Sequence, residues 1–198
     1  MTPEEFDAIP PHRWDDRYRY ELIRGVLVVS PIPGIVDRAS NDELGFMLRL
    51  HREVHPRGSA LDETLPNQTI FACRNRRLCG RVTWTGLGRT PDPEIDVPSV
   101  VVEFVSASRR DFARDYEEKR DEYLAHGVRE YWVIDRFRRI MTVYKPGPGG
   151  FVSRVVGEAE FYQTDLLPGF DLPLARLLAK ADEWPRKRRR KPPARGAE

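Results

Sequence analysis

Cysteine is nearly absent: Cys73 and Cys79 are the only two among 198 residues. That excludes a disulfide-stapled scaffold and fits a reduced, cytoplasmic setting. Long apolar runs are missing too, and none approaches the roughly 18 to 20 residues of a membrane span. The opening MTPEEFDAIPPHRWDD has neither the basic nor the apolar region of a secretory signal, so none is expected. Neither sign of charge predominates, with 33 Lys/Arg against 31 Asp/Glu and a net charge of +2. The segment from Pro185 to Glu198 holds seven Lys/Arg against one Glu, which leaves the first 184 residues at −4. A mildly acidic body gives no support for a broad nucleic-acid surface; only the tail does. Gly86-Leu-Gly88 lacks the strand and helix that a phosphate-binding loop needs around it. His51-Arg-Glu-Val-His55 sets its glutamate one place late for a zinc protease helix and reads as core-edge histidines. The two cysteines have no second metal-spaced pair and read as free thiols.

What is present is the composition of a globular domain, 40% hydrophobic and 32% charged. We assign residues 1–184 to one domain and 185–198 to a basic tail too charged to fold alone. Thr2-Pro3-Glu4-Glu5 predicts a helix start, and Tyr20 to Val29 predicts a hairpin turning at Arg24-Gly25. Ser40-Asn-Asp-Glu43 has the form of a capping box opening a helix that ends near Pro56. Strand patterns cover Leu65–Ala72, Arg81–Trp84, Val97–Val105, Glu130–Asp135, Ile140–Tyr144 and Phe151–Val156, with Arg74 to Arg77 as a basic loop. Asp111 to His126 and Leu174 to Ala179 read as helices. Val97 to Val105 is apolar on both faces, the mark of a central covered strand. The expected class is α/β, with antiparallel hairpins added to a covered sheet.

Three features carry chemistry. Glu103 interrupts Val100-Val-Val and Phe104-Val. A buried carboxylate needs a partner, a metal or an opening to solvent, because burying it alone costs several kcal/mol. On the next helix, Phe112, Tyr116 and Tyr123 form an apolar stripe in which Lys119 takes one apolar slot. A strand glutamate and an inward lysine on consecutive elements make a catalytic pair or a structural ion pair. Upstream, Thr90-Pro-Asp-Pro-Glu-Ile-Asp supplies Asp92, Glu94 and Asp96, hard oxygen donors of the kind that suit Mg²⁺ or Mn²⁺, or else a solvated acidic loop.

Pro-Asp, a strand glutamate and a following lysine resemble the PD-(D/E)XK nuclease superfamily. More closely, the chain resembles the Uma-type restriction endonucleases. The matching pieces are Tyr20-Glu-Leu-Ile-Arg-Gly25, Val100-Val-Val-Glu-Phe-Val-Ser106, Asp115-Tyr-Glu-Glu-Lys119 with Tyr123, Gly127 to Asp135, and Leu167-Pro-Gly-Phe170. They run in family order from Met1 to Leu178. The resemblance implies a restriction-endonuclease-like fold, a mixed central sheet flanked by helices. It also implies metal-dependent hydrolysis of DNA. Glu103 would be the acidic strand residue and Lys119 the lysine, moved from the slot of Val105 to the helix. Glu21 would be the early glutamate, and the Phe104 carbonyl a further metal ligand. Asp92 carries the Pro-Asp signature and Asp96 rivals it. In another alignment Cys79 to Trp84 is the aspartate's strand, and Gly80 occupies the aspartate's place. Mg²⁺ or Mn²⁺ is the expected cofactor, and DNA the expected partner, with Arg186 to Lys191 on phosphates and a homodimer for cutting two strands. The alternatives are a metal-free nuclease fold that only binds nucleic acid, and a hydrolase acting on another substrate through its paired carboxylates.

Overall fold

The computed structural model describes residues 1–71, 74–105 and 114–184. The basic tail, Cys73, Phe112 and the turn expected over 106–110 lie outside the described residues. The first helix, α1 (Pro3–Asp7), is fixed by Thr2, whose hydroxyl accepts from the Glu5 amide while the Glu5 carboxylate accepts from the Thr2 amide. The hairpin follows as β1 (Tyr18–Ile23) and β2 (Val26–Pro31). Arg24 and Gly25 turn it with φ of 51° and 80°, the paired positive angles that a two-residue hairpin loop needs.

Helix α2 (Ile35–Glu53) starts five residues before the Ser40–Glu43 pattern, so that pattern is not a cap. Ser40 donates to the Leu177 carbonyl and Asn41 to the Gly80 carbonyl, each at 2.7 Å. Both side chains work as tertiary anchors from within the helix. The single strand expected over 65–72 is two, β3 (Leu61–Pro66) and β4 (Thr69–Ile70). Asn67 breaks the run with φ of 51°. Next come β5 (Arg77–Leu78), β6 (Arg81–Thr85) and β7 (Val100–Phe104). A π-helical segment, Arg114–Glu118, leads into α3 (Lys119–Ala125). The chain then runs through β8 (Glu130–Asp135), β9 (Ile140–Gly147), β10 (Gly150–Gly157), β11 (Phe161–Tyr162), β12 (Leu172–Pro173) and α4 (Leu174–Asp182).

Six strands form the central mixed sheet in the order β10-β9-β8-β7-β6-β3. The β7–β8 pair is parallel and every other neighbour in it is antiparallel. The valines of β7 divide between the faces as strand alternation requires. Val100 and Val102 pack with α2 and α4 residues such as Leu44, Leu48 and Leu177. Val101 and Val105 pack with Tyr116, Tyr123 and Tyr131 on the α3 face. Each fully buried valine contributes roughly 1.5 to 3 kcal/mol, which is why this run must sit at the centre. Among the described residues no helix is long and apolar enough to cross a membrane.

Candidate active site

Alternation along β7 sends Glu103 to the α3 face with Val101 and Val105. Lys119, the first residue of α3, meets it there. The Lys119 ammonium donates to Glu103 Oε1 at 2.6 Å and to the Leu78 carbonyl at 2.9 Å. Glu21 Oε1 lies 3.9 Å from the same nitrogen and accepts from the Leu78 amide at 3.1 Å. The backbone pairing of Leu22 with Arg76 draws β1 alongside β5 and so delivers Glu21. Glu103, Glu21 and Lys119 are 5%, 4% and 2% exposed. Three charges this deep hold together only by answering one another, since an isolated buried ion costs several kcal/mol.

The surroundings are polar at one further point. Tyr123 is fully buried, and its hydroxyl has no hydrogen-bond partner among the described residues. Burial, followed by the Glu103 charge, pushes that phenol well above its ordinary pKa. Cys79 is buried beside it as a free thiol, raised first by desolvation and then by Glu103. Behind Glu21 the fully buried Arg77 guanidinium bonds Glu122 at 2.7 and 2.8 Å and Glu118 at 3.1 Å. Burial works against its charge, but these carboxylates outweigh it and the pKa rises.

The acidic loop is elsewhere. Asp96 is clamped by Arg89 through two bonds of 2.6 Å and accepts from the Asp92 amide at 2.7 Å. The Arg89 bond, then the Asp92 amide, hold its pKa at about 2. Asp92 accepts from the Glu94 amide at 3.0 Å. The Trp84 indole donates to the Asp96 carbonyl at 2.9 Å. In the antiparallel β6–β7 ladder Arg81 faces Val102 and Thr83 faces Val100. Trp84 therefore stands at the end of β7 remote from Glu103, about 13 Å along β6 from Gly80. Asp92 and Asp96 do not join Glu103, contrary to the expectation that one metal bridges them. The ladder runs as far as Arg81 opposite Val102, so Gly80 stands at Glu103's end of β7. A β-carbon at Gly80 would come within 2.9 Å of the Val102 carbonyl and 3.0 Å of the Phe104 ring, so that place is closed to a side chain. Phe104 follows Glu103 at the end of β7, its ring packed on the α2 side of the sheet.

Whether the site suits a divalent cation turns on its donors. Among the described residues no group of three or more His, Cys, Asp or Glu is set to hold a metal. Glu103 and Glu21 nevertheless converge on one point, the Lys119 ammonium. Mg²⁺ commonly takes one or two carboxylates and completes its shell with water and substrate phosphate. The set fits an ion held jointly with substrate, not a closed protein cage.

Several buried charges were not legible in the sequence. Arg77, in a stretch whose sequence predicts a loop, lies in β5. Arg81, pulled down to about 10 by burial and Arg49, bonds Asn41 at 2.7 Å and Thr64 at 3.1 Å. Glu130 accepts from Trp132, Tyr162, Thr164 and Lys145. His51 and His55 stack at 4.0 Å, with His51 against Phe170, at the edge of the core.

A mixed six-stranded sheet flanked by helices places the chain in the α/β class. A crystal structure of a protein from Anabaena variabilis ATCC 29413, described as a putative nuclease belonging to DUF820, matches with a TM-score of 0.71 at 14% identity. The match covers 91% of this chain and 99% of that one, and at this identity it speaks for the fold. Comparison with the curated proteins finds no match. The model of the Uma2 family, putative restriction endonuclease, matches residues 3–175. The chain belongs to that family.

Proposed function

We propose that this protein is a metal-dependent DNA endonuclease whose centre is Glu103, Glu21 and Lys119. The observation that carries the reading is the buried Lys119 ammonium, 2.6 Å from Glu103 and 3.9 Å from Glu21. Glu103 and Glu21 would hold Mg²⁺ or Mn²⁺, with the Phe104 carbonyl nearby. When bound, such an ion supplies a polarised phosphate and a water of lowered pKa. Lys119 is fixed by the Leu78 carbonyl and does not need to reorganise. It can orient the attacking water or stabilise charge developing on the phosphoryl oxygens. Asp92 and Asp96 have no part in this version.

A metal-free nucleic-acid-binding module is the second reading, favoured by the remote acidic loop and the closed position at Gly80. Incubating a labelled DNA duplex with the protein in Mg²⁺, Mn²⁺ or EDTA separates them. Cleavage in either metal and none in EDTA supports the nuclease. Retention of the duplex without cleavage in any condition supports the module.

A further inference from the structure

An open cleft of about 500 Å³ lies beside the site, on the surface of β1 and β5. Its wall is aromatic. Trp14 makes tilted ring contacts with Phe6 and Tyr20, at centroid distances of 5.4 and 4.3 Å. Tyr18 and Ile32, 43% and 44% exposed, extend this apolar surface to solvent. Two arginines stand at the rim. Arg19 donates to Asn67 at 2.7 Å, and Arg38 is exposed on the first turn of α2. Asp15 is held by Arg17 at 2.6 Å, so the two rim arginines face one remaining lining carboxylate, Asp16. The floor includes Leu78, whose backbone amide and carbonyl hold Glu21 and Lys119. Arg19 of the rim stands two residues before Glu21 and so shares its face of β1. Cleft and charged site thus share two strands.

We propose that this cleft seats an unpaired base of a nucleic-acid strand, so that the preferred substrate carries single-stranded nucleotides next to the reacting phosphate. Aromatic faces stack any base, and guanidinium groups at the rim suit the phosphates on either side. The volume falls in the range of small-ligand sites, whereas a base inside a duplex is stacked and paired and cannot enter without being extruded. The inference rests on the nuclease reading for its choice of nucleic acid as ligand. The charge balance at the rim separates it from a purely apolar peptide groove.

The test is fluorescence anisotropy with the full chain in EDTA, using a labelled oligo(dT) and a duplex of equal length. Oligo(dT) should bind more tightly than the duplex. Trp14→Ala should weaken oligo(dT) binding about tenfold, within the scale of losing one stacked base, and Trp14→Phe should restore most of it. Arg38→Ala lies on an exposed position and should weaken binding and flatten its salt dependence even if Trp14→Ala fails to fold. Equal or weaker binding of oligo(dT) than of duplex overturns the proposal, as does an Arg38→Ala variant or a folded Trp14→Ala variant that binds like wild type. The same oligonucleotides in Mg²⁺ keep the two readings apart. Single-strand binding with no cleavage of either substrate upholds the cleft and sinks the nuclease. Duplex cleavage without single-strand preference does the reverse.

Discussion

Two glutamates are buried in neighbouring strands and are held in opposite ways. Glu130 opens β8 and is 2% exposed. The Trp132 indole at 2.8 Å, the Tyr162 hydroxyl at 2.9 Å, the Thr164 hydroxyl and the Lys145 ammonium at 2.7 Å all donate to it. Most of its bonds come from neutral groups that belong to the fold. Asp62 shows the same economy, accepting from the amides of Gly58, Leu87 and Gly88. Glu103 instead meets a buried cation that also faces a second carboxylate and sits near an orphaned phenol. A carboxylate saturated by neutral donors is locked in place. A carboxylate in a cluster of charges has its energy set by whatever further charge arrives. The first arrangement suits structure and the second suits a site.

The largest effect that tests this contrast is at Glu130. Glu130→Ala leaves three neutral donors and Lys145 without their acceptor, and should cost about 3 kcal/mol or more in a urea unfolding curve. Mg²⁺ should not recover it. Lys119→Met comes next. It removes the cation between Glu103 and Glu21, so the melting temperature should fall in EDTA, by the equivalent of about 3 kcal/mol if the carboxylates stay charged. Mg²⁺ should return part of that loss, because the ion replaces the ammonium as their counter-charge, while cleavage falls by about a hundredfold or more. A loss of stability that Mg²⁺ leaves untouched would make Glu103 and Lys119 a structural pair like Glu130 and its donors.

Smaller effects sharpen the same comparison. Cys79 lies against the site with its pKa raised by burial and by Glu103. In the folded protein it should resist iodoacetamide at pH 8, a reaction that peptide mapping by mass spectrometry follows, and should react once urea unfolds the chain. The pKa of His51 is lowered, first by burial and then by the charge of His55. The unfolded chain therefore binds its proton more readily. Stability should be complete above the ordinary histidine pKa of about 6.5 and should decline as pH falls through that value. Unfolding midpoints at pH 7.5 and 5.5 measure this, and His51→Gln should flatten the difference. The smallest effect is expected at the acidic loop. Asp96→Asn weakens a pair with Arg89, whose guanidinium is open to solvent, and pairs at the surface contribute little. It should barely shift the melt and should leave cleavage unchanged, as should Asp92→Asn.

The candidate site was legible where a charge broke an apolar pattern. Glu103 stands out among the valines of β7, and Lys119 stands out in the stripe of Tyr116 and Tyr123. Their 2.6 Å contact follows from placing one on a central strand and the other at the head of the next described helix. The acidic loop misled because density of carboxylates in sequence says nothing about which end of a strand they reach. Asp96 leads into β7 at the end opposite Glu103, and the antiparallel register of β6, invisible in composition, sets Arg81 opposite Val102 and so Gly80 toward Glu103's end of the strand. Ser40 to Glu43 misled for a related reason. A serine three residues before a glutamate looks the same at a helix start and inside a helix, and only Leu177, 137 residues on, explains that serine. Glu130 gave no signal, since its donors Tyr162 and Thr164 come from a distant segment and a glutamate opening a strand reads as solvent-exposed.

In the proposed reading Glu103 serves chemistry and not the fold. The most direct measurement is nicking and linearisation of supercoiled plasmid in Mg²⁺ and Mn²⁺ by the wild type and by Glu103→Gln, with a thermal melt of each. The wild type should cleave only with metal, and Glu103→Gln should fold but lose at least about a hundredfold in cleavage rate. Cleavage by Glu103→Gln at the wild-type rate, or failure of the wild type to cut in either metal, would contradict that reading.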